Sequence, residues 1–200
     1  MRTGILGGTF DPPHKGHLYL GENFASALAL DRVLVIPAAI PPHKAEKKLS
    51  RDEDRLEMCR LAFRDPVFVV TDLELRRDGK SYTVDTLKQL REQYPEDEFF
   101  LLIGSDMLPY FDKWYRWRDI KSMCTLCSFS RSDGEGYEVL RDYSESVLGG
   151  GVALLDQPPM EISSTEVRRR VREGGDLGEL LPGPVEEYIA EHGLYREENA

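Results

Sequence analysis

Residues 7–17 read Gly7-Gly8-Thr9-Phe10-Asp11-Pro12-Pro13-His14-Lys15-Gly16-His17, and the chemistry they suit is the holding of a phosphate. Gly7 and Gly8 let the backbone approach a ligand without a side chain in the way. Pro12-Pro13 stiffens the turn. His14 and His17 are three apart, so in a helical first turn they share one face beside backbone N–H groups with no intrahelical partner. A helix N-terminus of this kind, with two imidazoles and little bulk, is an anion site. The run is not a dinucleotide fingerprint, because Gly-x-Gly-x-x-Gly is absent, and there is no Gly-Lys-Ser/Thr of the Walker type. Zinc also fails: no His-Glu-x-x-His occurs, and the two histidines lack a convincing third ligand. No metal-binding carboxylate cluster is expected.

Cationic side chains gather in two other places. Lys44, Lys47 and Lys48 follow Ile36-Pro37-x-x-x-Pro41-Pro42-His43, and Arg168, Arg169, Arg170 and Arg172 follow Ile162-Ser163-Ser164-Thr165-Glu166-Val167. The whole chain has 26 basic and 36 acidic side chains, a formal net charge of −10. A chain this acidic is no general nucleic-acid binder, since duplex affinity rests on neutralising phosphates. Concentrated cations on an acidic protein suit a small polyphosphate instead. Solvated helix faces are the plainer account of such runs, and Arg169, Arg170 and Arg172 are assigned to it. Cys59, Cys124 and Cys127 form no disulfide framework; Cys124-x-x-Cys127 has redox spacing but sits at the entry to an apolar run and reads as structural.

The elements that must position these residues alternate along the chain. Short apolar runs at 3–6, 32–36, 67–71, 98–103, 125–130 and 152–155 predict strands covered on both faces. Between them lie helical patterns: Leu20, Phe24, Ala27 and Leu28; a Ser50-x-x-Glu53 capping box leading to Leu56, Cys59 and Phe63; and Val84, Leu87, Leu90 and Tyr94. Near the end, Pro184 suits a first helical position, Val185, Tyr188 and Ile189 an apolar face, and Gly193 a stop. This alternation predicts an α/β fold, a Rossmann-like open parallel sheet with helices on both faces, and a small C-terminal helical part. Residues 1–200 read as a single domain, without repeats or a flexible linker. No apolar run approaches the ~20 residues of a membrane span. The opening Met1–Leu6 stretch turns into Gly-Gly-Thr too early for a signal peptide. The cytoplasm, without membrane partners, is the expected compartment; a homo-oligomer is left open.

His14-x-Gly16-His17 after Gly7-Gly8-Thr9-Phe10-Asp11-Pro12, together with Ile162–Arg168, resembles the paired signatures of the nucleotidyltransferase superfamily with a Rossmann-like fold. Ile36-Pro37 to Lys44, Ser81-Tyr82-Thr83-x-Asp85-Thr86-Leu87, and Ile103-Gly104-x-Asp106 with Lys113-Trp114 are similar to the nicotinate-mononucleotide adenylyltransferase branch. The resemblance spans the chain. It implies ATP and nicotinic acid mononucleotide as partners, with Mg²⁺ delivered alongside ATP. It also implies that His17 meets the α-phosphate, with His14 assisting nearby. Lys44 would bind phosphate on the substrate side, and Arg168 with the helix start at Ser163-Ser164-Thr165 would grip the β- and γ-phosphates. Gly7, Gly8, Thr9, Phe10, Gly104 and Ile162 would line the ATP site, and Asp106 would take ribose hydroxyls or cap a helix. Tyr82, Thr83 and Trp114 would select the pyridine ring, Thr83 by its hydroxyl and helix-start N–H groups, Trp114 by stacking. A plain packing stripe of Tyr110, Trp114 and Trp117 is the competing reading.

Three other functions fit parts of the pattern. Pantetheine-phosphate adenylyltransferases and cytidylyltransferases share the superfamily signatures but are not expected to carry Ser81-Tyr82-Thr83-x-Asp85-Thr86 with Trp114. A non-catalytic nucleotide sensor would have little use for both histidines and Arg168 together. A thiol redox protein would need a low-pKa thiol at Cys124 or Cys127.

Overall fold

The computed structural model describes residues 1–40, 49–77, 79–130, 135–158 and 160–196. Six strands form one sheet: β1 Arg2–Gly8, β2 Arg32–Pro37, β3 Phe68–Val70, β4 Glu98–Ile103, β5 Thr125–Ser130 and β6 Val152–Asp156. Every pairing is parallel and the order is β3-β2-β1-β4-β5-β6. The expected 67–71 strand shortens to three residues at the sheet edge, where Val69 is exposed. A short edge strand offers little template for unwanted pairing.

Period-two alternation splits the strand side chains between two cores. Leu6, Val33, Val35, Phe100, Leu102, Cys127 and Phe129 face one way. They meet helices α1 (Lys15–Ala27), α2 (Asp52–Ala62), α6 (Ser164–Glu173) and α7 (Gly183–Glu191) through Leu20, Phe24, Met58, Cys59, Val167, Val185 and Ile189. Ile5, Leu34, Ile36, Phe99, Leu101, Ile103 and Leu126 face the other way. There they meet α3 (Thr83–Gln93), a 3-10 helix (Leu108–Lys113), α4 (Trp117–Met123) and α5 (Glu135–Ser146). The expected open α/β sandwich is the fold observed. No helix among the described residues is long and apolar enough to cross a membrane.

Several local expectations are corrected. The Ser50–Glu53 capping box does not form: Arg51 is the N-cap of α2 and offers no side-chain cap bond. Ser50 is engaged otherwise, its N–H donating to Asp11 Oδ2 (3.3 Å) and its carbonyl accepting from Arg55 Nε (3.3 Å). The inward face of α2 is therefore Arg55, Met58, Cys59 and Ala62, with Leu56 only half-buried. Ala27 is exposed, and α1 buries Gly21 instead. Pro184 is the second residue of α7, not the first; Gly193 does lie past its end in the left-handed region (φ 62°).

Strands β1 and β4 are consecutive in space but not in sequence, so the crossovers leave in opposite directions between them. That is where open α/β sheets bind ligands. The β1–β4 ladder ends at Ile5 and Leu101, whereas β1 stays paired with β2 as far as Gly8 and Pro37. Beyond Ile5 the sheet opens into a crevice.

Candidate active site

That crevice is a cleft of about 880 Å³ at the carboxyl ends of β1 and β4. His14, His17 and Arg168 all line it, as do Gly7, Gly8, Thr9, Gly104, Asp106 and the run Ile162, Ser163, Ser164 and Thr165. Tyr82, Thr83 and Trp114 line it as well. Lys44 falls outside the described residues, as do Pro41, Pro42, His43, Lys47 and Lys48.

His14 is the N-cap of α1 and His17 is its third residue. The backbone N–H of His14 donates to Nδ1 of His17 (3.1 Å). An accepting Nδ1 puts the proton of the neutral ring on Nε2, making that nitrogen a donor. The His17 ring is held on two sides, stacked on His14 at 3.7 Å between centroids and edge-on to Phe10 at 4.9 Å. His14 is buried, and burial lowers its pKa from 6.5 to about 4, so it is neutral at pH 7. Its Nδ1 is buried with no hydrogen-bond partner among the described residues.

Phe10 is the one expected ATP contact whose side chain does not reach the cleft. Its backbone lies in the left-handed region (φ 50°) and its ring drops into the core against Phe63. The two glycines before it also differ. A Cβ on Gly7 would meet nothing within 4 Å, so that residue leaves open space on the cleft wall. A Cβ on Gly8 would come within 3.0 Å of the Phe10 ring, so Gly8 also accommodates the core. At the end of β4, a Cβ on Gly104 would sit 2.5 Å from Asp106 Oδ1. The exposed carboxylate folds back over that glycine; Met107, not Asp106, caps the 3-10 helix.

The two ends of the chain meet over this loop. Arg168 Nη1 donates to the Asp11 carbonyl (2.6 Å) across 157 residues, and its Nη2 donates to Thr165 Oγ1 (3.3 Å). Ser164 Oγ donates to the Pro12 carbonyl (2.9 Å). Ser163 caps α6, accepting from the Glu166 N–H (3.1 Å). Arg169 and Arg170 pair with Glu166, and Arg169 also with Glu173, as solvated helix-face charges do. Thus α1 and α6 both point their N-terminal ends at one cleft.

On the other flank Thr83 is the first residue of α3, giving the cleft a third helix N-terminus. Thr86 Oγ1 donates to buried Glu74 Oε1 (2.5 Å), and Arg77 Nη2 donates to Thr86 Oγ1 (2.6 Å). Burial raises the Glu74 pKa, with hydrogen bonds from Thr86 and Ser81 acting against it. Ser81 Oγ accepts from the Ala39 N–H (3.0 Å), which joins this flank to the chain leaving β2. Trp114 tilts against Phe111 at 5.3 Å, and its indole Nε1 is buried without a hydrogen-bond partner among the described residues. Of the alternative packing stripe, Trp114 and Trp117 pack on the core but Tyr110 is exposed. Tyr115, not singled out from sequence, packs on Tyr82 at 4.8 Å and lines the cleft.

Sequence reasoning also missed Arg55. Its side chain is fully buried and donates to the Thr9 carbonyl (2.7 Å), the Ala38 carbonyl (2.7 Å) and Asp52 Oδ1 (2.5 Å). The residue thereby fixes the backbone leaving β1 against the backbone leaving β2. The cysteines offer no reactive thiol: burial pushes Cys124 up to about 12, and Cys59 and Cys127 higher still. Among the described residues no group of three or more His, Cys, Asp or Glu side chains could hold a metal ion.

The cytidylyltransferase-like family matches residues 5–170. A Desulfitobacterium hafniense (strain Y51) protein named "Probable nicotinate-nucleotide adenylyltransferase" is 42% identical over 203 residues, covering 98% of this chain and 96% of that protein. A Geobacter metallireducens protein of the same name is 42% identical over 216 residues, covering 98% of each. Among solved structures, the Plasmodium falciparum nicotinic acid mononucleotide adenylyltransferase complexed with NaAD superimposes with a TM-score of 0.79 at 19% identity, covering 97% of each chain. That likeness is one of fold.

Proposed function

Since the chain belongs to the nicotinate-nucleotide adenylyltransferase family of cytidylyltransferase-like proteins, we infer that it joins nicotinic acid mononucleotide to the AMP part of ATP. The products are nicotinic acid adenine dinucleotide and pyrophosphate, a step of NAD biosynthesis. The observation that carries this reading is the meeting of three helix N-termini, two stacked imidazoles and Arg168 around one cleft at the β1/β4 opening.

In the reaction a 5′-phosphate oxygen of the mononucleotide attacks the α-phosphorus of ATP. A bond forms there as the bond from that phosphorus to the α,β-bridging oxygen breaks, and pyrophosphate leaves with the electron pair. The nucleophile is already an anion at neutral pH, so no general base is needed. The protein has to align two anions and offset charge on the α-phosphate and the leaving group.

His17 is the donor to the α-phosphate. Its Nδ1 is occupied by the His14 N–H, which directs the proton to Nε2. His14 stays neutral beside it, because burial lowers its pKa to about 4. Arg168 and the N-terminus of α6 take the β- and γ-phosphates, with Lys44 adding a further phosphate contact. Gly7 and the strand end at Gly104 leave room for the adenosine, whose ribose hydroxyls donate to Asp106. The nicotinate carboxylate is an anion that nicotinamide lacks, and the first-turn N–H groups of α3 with the Thr83 hydroxyl are suited to it. Trp114 stacks on the pyridine ring and Tyr82 closes the flank. A divalent cation, Mg²⁺, enters as part of the substrate, held by phosphate oxygens and water.

Residues 1–200 act as one domain, a reading supported by the bonds from Arg168 and Tyr195 to Asp11. Cytoplasmic residence suits the three free cysteines. The test is pyrophosphate release with MgATP and nicotinic acid mononucleotide, nicotinamide mononucleotide or phosphopantetheine in parallel. Release with the first is expected to dominate. Release with phosphopantetheine alone would assign the chain to a different adenylyltransferase.

A further inference from the structure

Asp11 sits in the middle of the phosphate loop, yet among the described residues its carboxylate accepts from a hydroxyl and a backbone N–H rather than from a cation. The side chain is buried, at 4% exposure. One oxygen accepts from the Tyr195 hydroxyl at 2.6 Å and the other from the Ser50 N–H at 3.3 Å. The carbonyl of the same residue accepts from Arg168 at 2.6 Å. Asp11 is therefore a junction: its side chain is held by the C-terminal end of the described chain, and its backbone holds the guanidinium on the cleft wall.

The Tyr195 hydroxyl also reaches Met58 Sδ at 4.0 Å, and its ring packs on the core, but its short bond is the one to Asp11. Its backbone lies in the left-handed region (φ 62°), a conformation that costs a non-glycine residue roughly 1 kcal/mol. Nothing about terminating α7 requires it, because Gly193 already occupies the left-handed position past that helix. A bulky residue held so is a pointer to a constraint imposed by tertiary contacts. Burial, and then the Asp11 carboxylate, push the Tyr195 hydroxyl well above its ordinary pKa, so it stays a donor throughout the usable pH range. The C-terminal part also reaches α1: the Lys15 N–H donates to the Leu180 carbonyl (2.9 Å) and Lys15 Nζ to the Gly178 carbonyl (2.6 Å). The start of α1 and the loop before it are thus braced from residues 178–195.

We propose that Tyr195 is a positioning residue for ATP: its hydroxyl fixes Asp11, and through the Asp11 carbonyl it fixes the direction in which Arg168 meets the triphosphate. This rests on the adenylyltransferase reading. Removing the hydroxyl leaves a buried carboxylate oxygen unpaired and lets the loop relax, so the guanidinium loses its aim without losing its charge. The pyridine flank, braced by Glu74, Thr86 and Ser81, is untouched.

The test is a double-mutant cycle on the full chain. Affinity for a non-hydrolysable ATP analogue with Mg²⁺ is measured by calorimetry for wild type, Tyr195→Phe, Arg168→Ala and the double variant. KM for nicotinic acid mononucleotide and the melting temperature are recorded alongside. Tyr195→Phe should weaken the analogue roughly ten-fold, leave KM for the mononucleotide within about two-fold, and lose its effect on affinity in the Arg168→Ala background. A merely structural tyrosine would lower the melting temperature and leave analogue affinity at the wild-type value. That result overturns the proposal, as does an equal loss in both backgrounds. Asp11→Ala, which removes the acceptor and keeps the backbone carbonyl, should weaken the analogue in the same way and serves if Tyr195→Phe does not fold. A wild-type protein that fails to bind the analogue would instead refute the enzyme reading, and the proposal with it.

Discussion

Replacing His17 separates two jobs that one ring performs. Its Nδ1 caps the start of α1 by accepting from the His14 N–H at 3.1 Å, and its Nε2 is the donor assigned to the α-phosphate. His17→Ala removes both. Losing one preorganised donor to a developing oxyanion costs about 10²–10³ in turnover. Losing the cap bond costs about 1 kcal/mol, and losing the edge-on contact with Phe10 about another. For a chain of this length the two together lower the melting temperature by roughly 4–8 °C. Two further variants split the roles. The amide nitrogen of glutamine falls near the position of Nε2, and the amide oxygen of asparagine falls near that of Nδ1. His17→Gln should recover part of the turnover but little stability, and His17→Asn should recover stability but not turnover. The assay is pyrophosphate release at saturating MgATP and nicotinic acid mononucleotide, with thermal melts on the same preparations. Near-wild-type turnover in His17→Ala would refute the assignment of the donor. Equal recovery of turnover by Asn and Gln would refute the assignment of the tautomer.

Other perturbations test other parts of the reasoning. Arg55→Met should destabilise the fold by about 3–5 kcal/mol, because the Thr9 and Ala38 carbonyls lose their donor; a loss below about 1 kcal/mol in urea titration would show that water replaces it freely. His14 makes stability fall in mild acid: its folded pKa of about 4 lies below the ordinary 6.5, so between those values the unfolded chain binds a proton that the folded chain refuses. The contribution is complete above pH 6.5 and falls by about 3 kcal/mol as pH drops to about 4, and His14→Asn should flatten that part of the urea-midpoint profile. Trp114→Ala should raise KM for nicotinic acid mononucleotide roughly ten-fold with KM for ATP unchanged, whereas equal rises for both substrates would make Trp114 a packing residue only. Alkylation of Cys59, Cys124 and Cys127 by iodoacetamide should be undetectable in the native protein at pH 8, since burial raises all three thiols; rapid labelling of Cys127 would revive the redox alternative.

The strands and the phosphate loop were legible in the sequence for different reasons. An apolar run such as 98–103 has few alternatives to a strand covered on both faces. Gly7, His14 and His17 combine, around one helix start, residue types suited to an anion. The residues that sequence reasoning missed are those whose meaning exists only across long separations. Arg55, within the acidic run from Asp52 to Glu57, reads as one more solvated helix charge, yet it is wholly buried because two strand ends present carbonyls to it. Tyr195 finds Asp11 from 184 positions away. The Ser50–Glu53 box failed on the same account. Local capping was available, but the Ser50 N–H is taken by Asp11 and its carbonyl by Arg55, so the helix starts after Arg51. Phe10 stands within the motif, but its left-handed backbone sends the ring to the core, so any contact it makes in the cleft is through its backbone.

How a chain of net charge −10 can grip a triphosphate follows from where the positive potential originates. Charges more than a Debye length away, about 8–10 Å at physiological salt, act weakly on a phosphate in the cleft. What acts at contact range is the backbone. Helices α1, α3 and α6 start at the cleft, and each N-terminus carries the equivalent of roughly half a positive charge on N–H groups that cannot deprotonate. Only Arg168, among the side chains described there, adds a permanent charge to that set on the α6 side, and its aim is fixed by a carbonyl rather than by a carboxylate. An acidic partner would have neutralised the guanidinium; the Asp11 carbonyl orients it and leaves its charge for the ligand, while the Asp11 carboxylate is turned to Tyr195 and Ser50. The acidic surface and the anion-binding cleft are therefore compatible, because the fold assigns the ligand to helix ends and keeps the Asp11 carboxylate occupied elsewhere.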